Sequence, residues 1–356
     1  MTVLRCFAGA SLAALGLMLA ACGGGGVNST PTPTPGGGGS PTPTPGGGTP
    51  TPTPSQPNST LPSFVPALAV ASSSQTAPPS GGGVVIVTPA PTPTPSVNDD
   101  LLSPLASEQF MALGVVGTAE ISKLNGAGSN GSWTEGLSIT YDSAAQTYTV
   151  NGIAFGPADK VNGASNGQFT TFQKIAGNTG QSLVLTAPGT SGQFTYRYVG
   201  AGFLQQVQEY SDLVRGYLRA FVYGVETPES SVPRSGSGSY NVDMLAVIAA
   251  DGALHDLHGS GTLGVNFASG AITTSGAAKQ YAQSGVFETS RNWTGNAQLR
   301  SDYNFFEGSL TVSGMDRAEW LGKFYGPSAQ EVGSVFQSTN GGPTLAGTLI
   351  GRTAGQ

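Results

Sequence analysis

Few side chains in this 356-residue chain have the types and spacing for chemistry. The only two histidines are His255 and His258, set as H-x-x-H around Asp256. Imidazole ligates zinc, copper and haem iron. On a strand, however, residues three apart face opposite sides, so a shared metal would need a tight turn or a bulge. Without one, the pair reads as two solvated residues near a hairpin. Gly163-Ala164-Ser165-Asn166-Gly167 fits G-x-S-x-G. That nucleophile needs a sharp strand-to-helix elbow, with a His and an acid converging on the Ser, and no helical pattern follows Ser165. Gly259-Ser260-Gly261-Thr262-Leu263-Gly264 fits G-x-G-x-x-G, but a β pattern follows where the dinucleotide motif needs a helix N-terminus. The expectation is no enzyme, no catalytic residue, no metal centre and no cofactor.

The two cysteines, Cys6 and Cys22, both lie near the N-terminus, which reads as a targeting segment. Arg5 supplies its positive charge. Leu12 to Leu19 is an apolar run too short to span a bilayer. Leu19-Ala20-Ala21-Cys22 resembles the lipobox of bacterial lipoproteins, which implies cleavage before Cys22 and acylation of its thiol and new amino group. Residues 1–21 are then a signal peptide. Gly23, not Asp, follows, which resembles outer-membrane sorting. Cys6 leaves with the signal, so the folded part has neither a disulfide nor a thiolate.

From Gly23 to Asn98 there is no Asp, Glu, Lys or Arg, and Pro-Thr-Pro-Thr-Pro recurs at Pro31, Pro41, Pro50 and Pro91 between Gly-rich runs. Pro-rich pieces extend and Gly runs are floppy. Too little apolar surface is present to offset the entropy of ordering. Residues 22–98 read as a disordered tether, with apolar patches at Leu61 to Ala71 and Val84 to Val87. The net charge of −6, which becomes −7 without Arg5, argues against nucleic-acid binding.

The remainder must position whatever site exists, and it reads as all-β. Period-two alternation places Tyr240, Val242, Met244, Ala246 and Ile248 on one face of a strand. Asp251-Gly252 gives a hairpin turn, and Leu263, Val265 and Phe267 share a face on the next strand. Further strands are expected at Ala271 to Lys279, Phe287 to Leu299, Phe305 to Ser313, Ala318 to Tyr325, Val332 to Gln337 and Leu345 to Ile350. Eight antiparallel strands at this spacing suggest closure into a barrel, which removes the sheet edges. Before Thr227-Pro228 and Val232-Pro233 the pattern is less regular. It gives a hairpin of Leu137 to Tyr141 with Thr147 to Ile153, strands at Phe169 to Lys174, Leu183 to Thr186, Phe194 to Val199 and Tyr217 to Tyr223, and a short helix at Ser107 to Leu113. Trp320 is expected in the core. Trp293, in a polar context, is the better exposed anchor, and Trp133 is a third candidate.

Near the C-terminus, Gly322 to Phe336 reads as strand, Gly-Pro turn and strand. Ser328 and Glu331 stand at the spacing of a capping box. This stretch resembles the closing hairpin of the lipid-anchored barrels related to transferrin-binding protein B of Gram-negative bacteria. Phe221 to Gly224, Thr227-Pro228, Val232-Pro233 and Gly236 to Tyr240 look like that family's join between "handle" and barrel. Gly261 to Gly270 looks like its second barrel strand and turn, and Leu345 to Gly351 like its last strand. The resemblance implies an antiparallel handle sheet (99–233) packed beside an eight-stranded barrel (234–356). It further implies anchoring to outer-membrane lipid through acylated Cys22, facing the exterior, and capture of an unidentified host or environmental protein in iron or haem acquisition. A TonB-dependent transporter and a surface-lipoprotein export factor are implied partners. No family ligand contact transfers to a residue here, so the ligand-binding residues stay unassigned. A haem carrier using His255 or His258, and a structural or adhesive envelope protein, stand as alternatives.

Overall fold

The structure is a computed structural model, and it describes residues 96–102, 105–122, 128–250, 253–338 and 343–354. The signal segment, Cys22, the tether as far as residue 95 and the Asp251-Gly252 turn lie outside the described residues.

Two antiparallel eight-stranded sheets follow one another along the chain. The first contains β1 (Glu108–Ser122), β2 (Gly128–Asp142), β3 (Thr147–Val150), β4 (Ile153–Phe155), β5 (Phe169–Ala176), β6 (Thr179–Thr186), β7 (Val199–Glu209) and β8 (Leu213–Gly224). Their order is β4-β3-β2-β1-β8-β7-β6-β5, and a bridge between Lys160 and Phe172 draws the two edges together. The second contains β9 (Ser237–Ala250), β10 (Ala253–Asn266), β11 (Ala271–Ala282), β12 (Phe287–Leu299), β13 (Phe306–Val312), β14 (Ala318–Tyr325), β15 (Glu331–Ser338) and β16 (Thr344–Thr353). These close into a barrel through pairing of β16 with β9. The all-β fold, a handle sheet beside an eight-stranded barrel, is the one expected.

Alternation builds the barrel. On β11 and β12, Ile272, Thr274, Ala278, Trp293 and Leu299 are buried, while Thr273, Ser275, Asn292, Thr294 and Asn296 face outward. A membrane-spanning barrel needs an apolar outward band; these strands present hydroxyls and amides there. The interior is a filled core that includes Tyr240, Phe267, Trp293, Phe306, Trp320 and Phe324. Glycine makes room for the large rings. Trp293 pairs across strands with Gly276, and Phe306 with Gly322, and in each case a Cβ would collide with the ring. Trp293 is therefore core, 1% exposed, and not a surface anchor. Trp320 is core as expected, its indole N–H donating to Ser334 Oγ at 2.8 Å. The Trp133 side chain lies outside the described residues.

The handle departs from expectation in three places. Ser107 to Leu113 is not a helix: β1 runs through it, paired with β2 on one side and β8 on the other. Phe194 to Val199 is not a strand, because Phe194 adopts φ 61° in a loop and β7 begins only at Val199. Thr147 to Ile153 is split by a two-residue turn, Asn151-Gly152, with φ of 50° and 79°, the left-handed pair that a tight hairpin requires.

The handle has two apolar faces. One faces inward on the curled sheet, with Phe110, Ile139, Phe155, Phe172, Leu204 and Phe221. The other packs on the outside of the barrel, where Val115, Val184, Phe203 and Val222 meet Leu245, Val247, Val335, Ala346 and Ile350. Each such side chain stabilises by roughly 1.5–3 kcal/mol when fully buried.

Candidate functional site

Two polar constellations stand out: a seam that joins handle to barrel, and a relay inside the barrel mouth.

The seam is built on Glu331, the first residue of β15. Its carboxylate accepts three backbone N–H groups of the handle, from Arg197 (2.8 Å), Tyr198 (2.7 Å) and Val199 (2.9 Å). Glu331 is 4% exposed, and burial raises its pKa against the lowering pull of these three bonds. Asp243 on β9 acts likewise: its Oδ2 accepts the Phe194 N–H and the Tyr196 hydroxyl, both at 2.8 Å. Burial is again the main cause of its raised pKa. Arg352 on β16 completes the seam. It donates to the carbonyls of Thr190 (2.5 Å), Gly192 (3.1 Å) and Thr195, with its guanidinium 4.7 Å from the Tyr196 ring centre. A cavity of about 300 Å³ opens here, lined by Thr190, Arg197, Tyr198, Gln330, Glu331 and Arg352. Its charged groups are already engaged within the protein, Arg197 by Asp100 at 2.8 Å.

The Gly-Pro turn belongs to this seam. Gly326 has φ 82°, and a Cβ there would meet the Tyr198 ring at 2.7 Å. The Gly326 N–H donates to Val225 O (2.8 Å), and Thr227 Oγ1 donates to Gly326 O (2.6 Å). Asn304 Nδ2 donates to the carbonyls of Thr227 and Phe324 at 2.9 and 2.8 Å. The expected capping box does not form. No helical turn follows Pro327, Ser328 N–H bonds to Gln330 Oε1 (2.8 Å), and Glu331 reaches the handle instead. The motif is thus a latch between two sheets as well as a barrel turn. A lone Glu opening an apolar strand was the sequence signal for it.

The relay lies at the other end of the barrel. The two histidines face opposite ways on β10, as strand geometry requires. His258 is not solvated. It is 7% exposed, packed 6.3 Å from the Phe194 ring of the handle and 5.6 Å from Tyr281, and burial pushes its pKa down to about 3. His255 shares the interior face with Leu257, and its Nδ1 lies 2.6 Å from Glu288 Oε2. Gln280 Nε2 donates to the same oxygen at 2.8 Å, and Arg291 Nε donates to Gln280 Oε1 at 2.6 Å. Sequence reasoning did not pair His255 with Glu288, which is 33 residues away. Among the described residues, no group of three or more His, Cys, Asp or Glu could hold a metal ion.

The enzyme-like motifs serve structure. Ser165 Oγ donates to Val161 O (2.9 Å) and accepts the Thr171 N–H (3.1 Å), closing a loop. Gly259 to Gly264 lies within β10.

The register also orients the molecule. Residues 96–102 enter at the latch end: Glu108 accepts from Ser96 Oγ (2.5 Å) and Asn98 Nδ2 (2.6 Å), and the Leu101 N–H donates to Arg197 O (2.8 Å). The β5–β6 and β7–β8 tips lie at the opposite end, joined by Asn178 Nδ2 to Glu209 O at 2.6 Å. The barrel turns at 283–286 and 313–317 share that end, because Gly117 of β1 lies beside Thr344 at the start of β16. This distal end carries exposed Ile175, Tyr210 and Val286. The Arg215 guanidinium lies 5.7 Å from the Tyr210 ring centre.

No protein-family model and no curated protein sequence matches the chain. Among solved structures it is similar to a double mutant of the vaccine antigen transferrin-binding protein B from Haemophilus parasuis, at 17% identity and a TM-score of 0.39, over 67% of this chain and 45% of that one. It is similar also to isotype 1 transferrin-binding protein B of serogroup B Neisseria meningitidis, at 15% identity and a TM-score of 0.37, over 67% and 43%. A third is described as a surface lipoprotein, at 17% identity and a TM-score of 0.35, over 68% and 99%. The match spans less than half the length of the two transferrin-binding proteins. At this identity and overlap the likeness bears on neither ligand nor activity.

Proposed function

We propose that the chain is an outer-membrane lipoprotein, acylated at Cys22, that displays a rigid handle and barrel on a Pro/Thr/Gly-rich tether and captures a macromolecular ligand for iron or haem acquisition. The observation that carries this reading is the polarity of the molecule. The chain enters the body at the latch end, held by Glu108 and Arg197, while the β5–β6 and β7–β8 tips and the barrel turns at 283–286 and 313–317 lie at the other end. A lipid-anchored body with that layout presents those tips and turns away from the membrane. The distal end also carries Tyr210 beside Arg215 and the exposed Ile175. Tyr and Arg are the residue types that dominate binding hot spots.

The same reading assigns residues 1–21 to the signal, 22–98 to the tether, 99–233 to the handle and 234–356 to the barrel. Its further partners are a surface-lipoprotein export factor and a TonB-dependent transporter that would receive the iron or haem. The test is protease treatment of intact cells with a tag inserted at Gly177-Asn178. Loss of the tag without lysis is the expected result. Full protection until lysis would put the body on the periplasmic side and sink the surface reading.

A further inference from the structure

We propose that the inner face of the handle, in its distal half, is a binding platform for the end of a neutral oligosaccharide. That face changes character along the strands. Towards the latch end it is apolar, with Phe172, Leu204 and Phe221. Strand alternation carries the same face on to polar side chains. One ladder row across the sheet holds Lys174, Gln181, Gln206, Tyr217 and Thr118. The next row, nearer the tips, holds Thr179, Gln208 and Arg215. Gln181, Gln206 and Tyr217 are half-buried, because the sheet curls with this face inward and the Lys160–Phe172 bridge draws its edges together.

Arg219 marks the boundary between the two regions. It is 9% exposed, its Nη1 donates to Gln206 Oε1 at 2.6 Å, and its guanidinium lies 5.7 Å from the Tyr217 ring centre. This fixes the Gln206 amide and leaves its Nε2 without an acceptor among the described residues. Gln181, directly across the ladder, makes no side-chain hydrogen bond among them. Gln208, one row on, is instead satisfied locally, accepting from Thr179 Oγ1 at 3.1 Å. Two adjacent half-buried amides with unused donors and acceptors, beside an aromatic ring, suit a polyhydroxylated ligand. Each sugar hydroxyl both donates and accepts, as an amide needs, and the C–H face of a sugar ring packs on an aromatic face.

Charge and shape select the class of ligand. Lys174 is paired with Asp159 at 3.3 Å, and the register sets Glu120 opposite Arg215. With its cations matched, the platform has no surplus field for a polyanion. The inside of a curled eight-stranded sheet has room for side chains and one small ligand, so a globular protein is too wide to enter. An extended peptide would pair through its backbone with a sheet edge and not with a face of side chains. The platform does not use Ile175, which lies on the opposite face of β5. Sugar binding here and macromolecular capture at the tips can therefore fail independently.

The test titrates the purified full-length chain, by calorimetry, with cellotetraose, maltotetraose, chitotetraose and a heparin tetrasaccharide. At least one of the three neutral sugars is expected to bind saturably at one per chain. Gln206→Ala and Gln181→Ala should each weaken it about tenfold, the usual effect of leaving a ligand hydroxyl without its partner. Tyr217→Ala should weaken it likewise, and Tyr217→Phe, which keeps the ring, should bind as wild type does. Gln173→Ala, on the other face of β5, should also bind as wild type does. Unchanged thermal midpoints in the two glutamine variants separate binding from folding. Binding of none of the neutral sugars overturns the proposal, as does wild-type affinity in both Gln206→Ala and Gln181→Ala. Heparin tetrasaccharide binding as tightly as the best neutral sugar also overturns it, because charge would then be the determinant.

Discussion

At the scale of single residues, buried ionisable groups decide how this protein responds to pH. His258 is held neutral by burial, with its pKa near 3 against 6.5 for the free side chain. Below about 6.5 the unfolded chain gains a proton there and the folded one does not. The stability contributed by neutral His258 is present above that value and is lost as pH falls towards 3. With only two histidines in the chain, the assignment by NMR is simple. One imidazole should show no protonation shift between about pH 8 and 4; if both titrate in that range, His258 is not packed against Phe194. Glu331 and Asp243 act in the opposite sense. Burial raises both pKa values, so their contribution is full below the unfolded carboxylate pKa and is lost as pH rises through the raised value. Glu331→Gln should flatten that part of the urea-denaturation profile. Glu331→Ala leaves three N–H groups without their acceptor, that of Val199 buried and those of Arg197 and Tyr198 part-buried, and is expected to cost about 3 kcal/mol. A cost under about 0.5 kcal/mol would mean that the seam is open to water. Neither role could be read from residue type: the sequence shows a Glu before an apolar strand, and only the fold brings Arg197, Tyr198 and Val199 to it.

At the scale of elements, the barrel was legible and the handle only partly so, for one physical reason. Barrel strands bury one face and wet the other, as in the strict exposed–buried alternation of Ala271–Ser275. Periodicity finds such strands. β7 is buried on both faces over Val199–Gln205, since one face packs inside the curled handle and the other against the barrel. No alternation survives there, and the strand was expected several residues too early. β1 was mistaken for a helix at its start because Met111, 52% exposed, and half-buried Leu113 flank Ala112 without a clear period. The Gly-Pro turn shows a further limit. Its sequence identified a turn, but the partner that makes Gly326 indispensable, Tyr198, is more than 120 residues away. Gly326→Ala should lower stability by about 1–3 kcal/mol, from positive φ and the clash with Tyr198. Gly264→Ala, whose Cβ would meet only Thr273 Oγ1 at 3.5 Å, should change it by less than about 1 kcal/mol. Equal effects in thermal denaturation would show that the latch does not constrain Gly326.

At the scale of the whole molecule, the two-sheet body has distinct ends, and the proposed function adds an N-terminal lipid anchor and a tether to it. The outward faces of β11 and β12 are polar and form no lipid-facing band, and the proposed function assigns membrane attachment to Cys22. Cys22→Ala should move the protein from the membrane fraction to the soluble fraction; retention in membranes would show that Cys22 is not the anchor. The anchor at Cys22 and the tether at 22–98 fall outside the described residues as far as residue 95 and stay expectations, drawn from the lipobox resemblance and from a charge-free Pro/Thr/Gly composition. No ligand was legible, because the tips at 177–178 and 210–212 carry no periodic pattern. On the proposed function, the end that carries Ile175 and Tyr210 captures an iron-bearing macromolecule. The most direct measurement is biolayer binding of the purified chain to a panel of iron-carrying proteins, comparing wild type, a distal Ile175→Lys/Tyr210→Ala variant and a latch-end Arg234→Ala variant. At least one protein is expected to bind wild type and Arg234→Ala alike and to bind the distal variant at least tenfold more weakly. Binding to none of the panel, or binding lost in Arg234→Ala and retained in the distal variant, would contradict it.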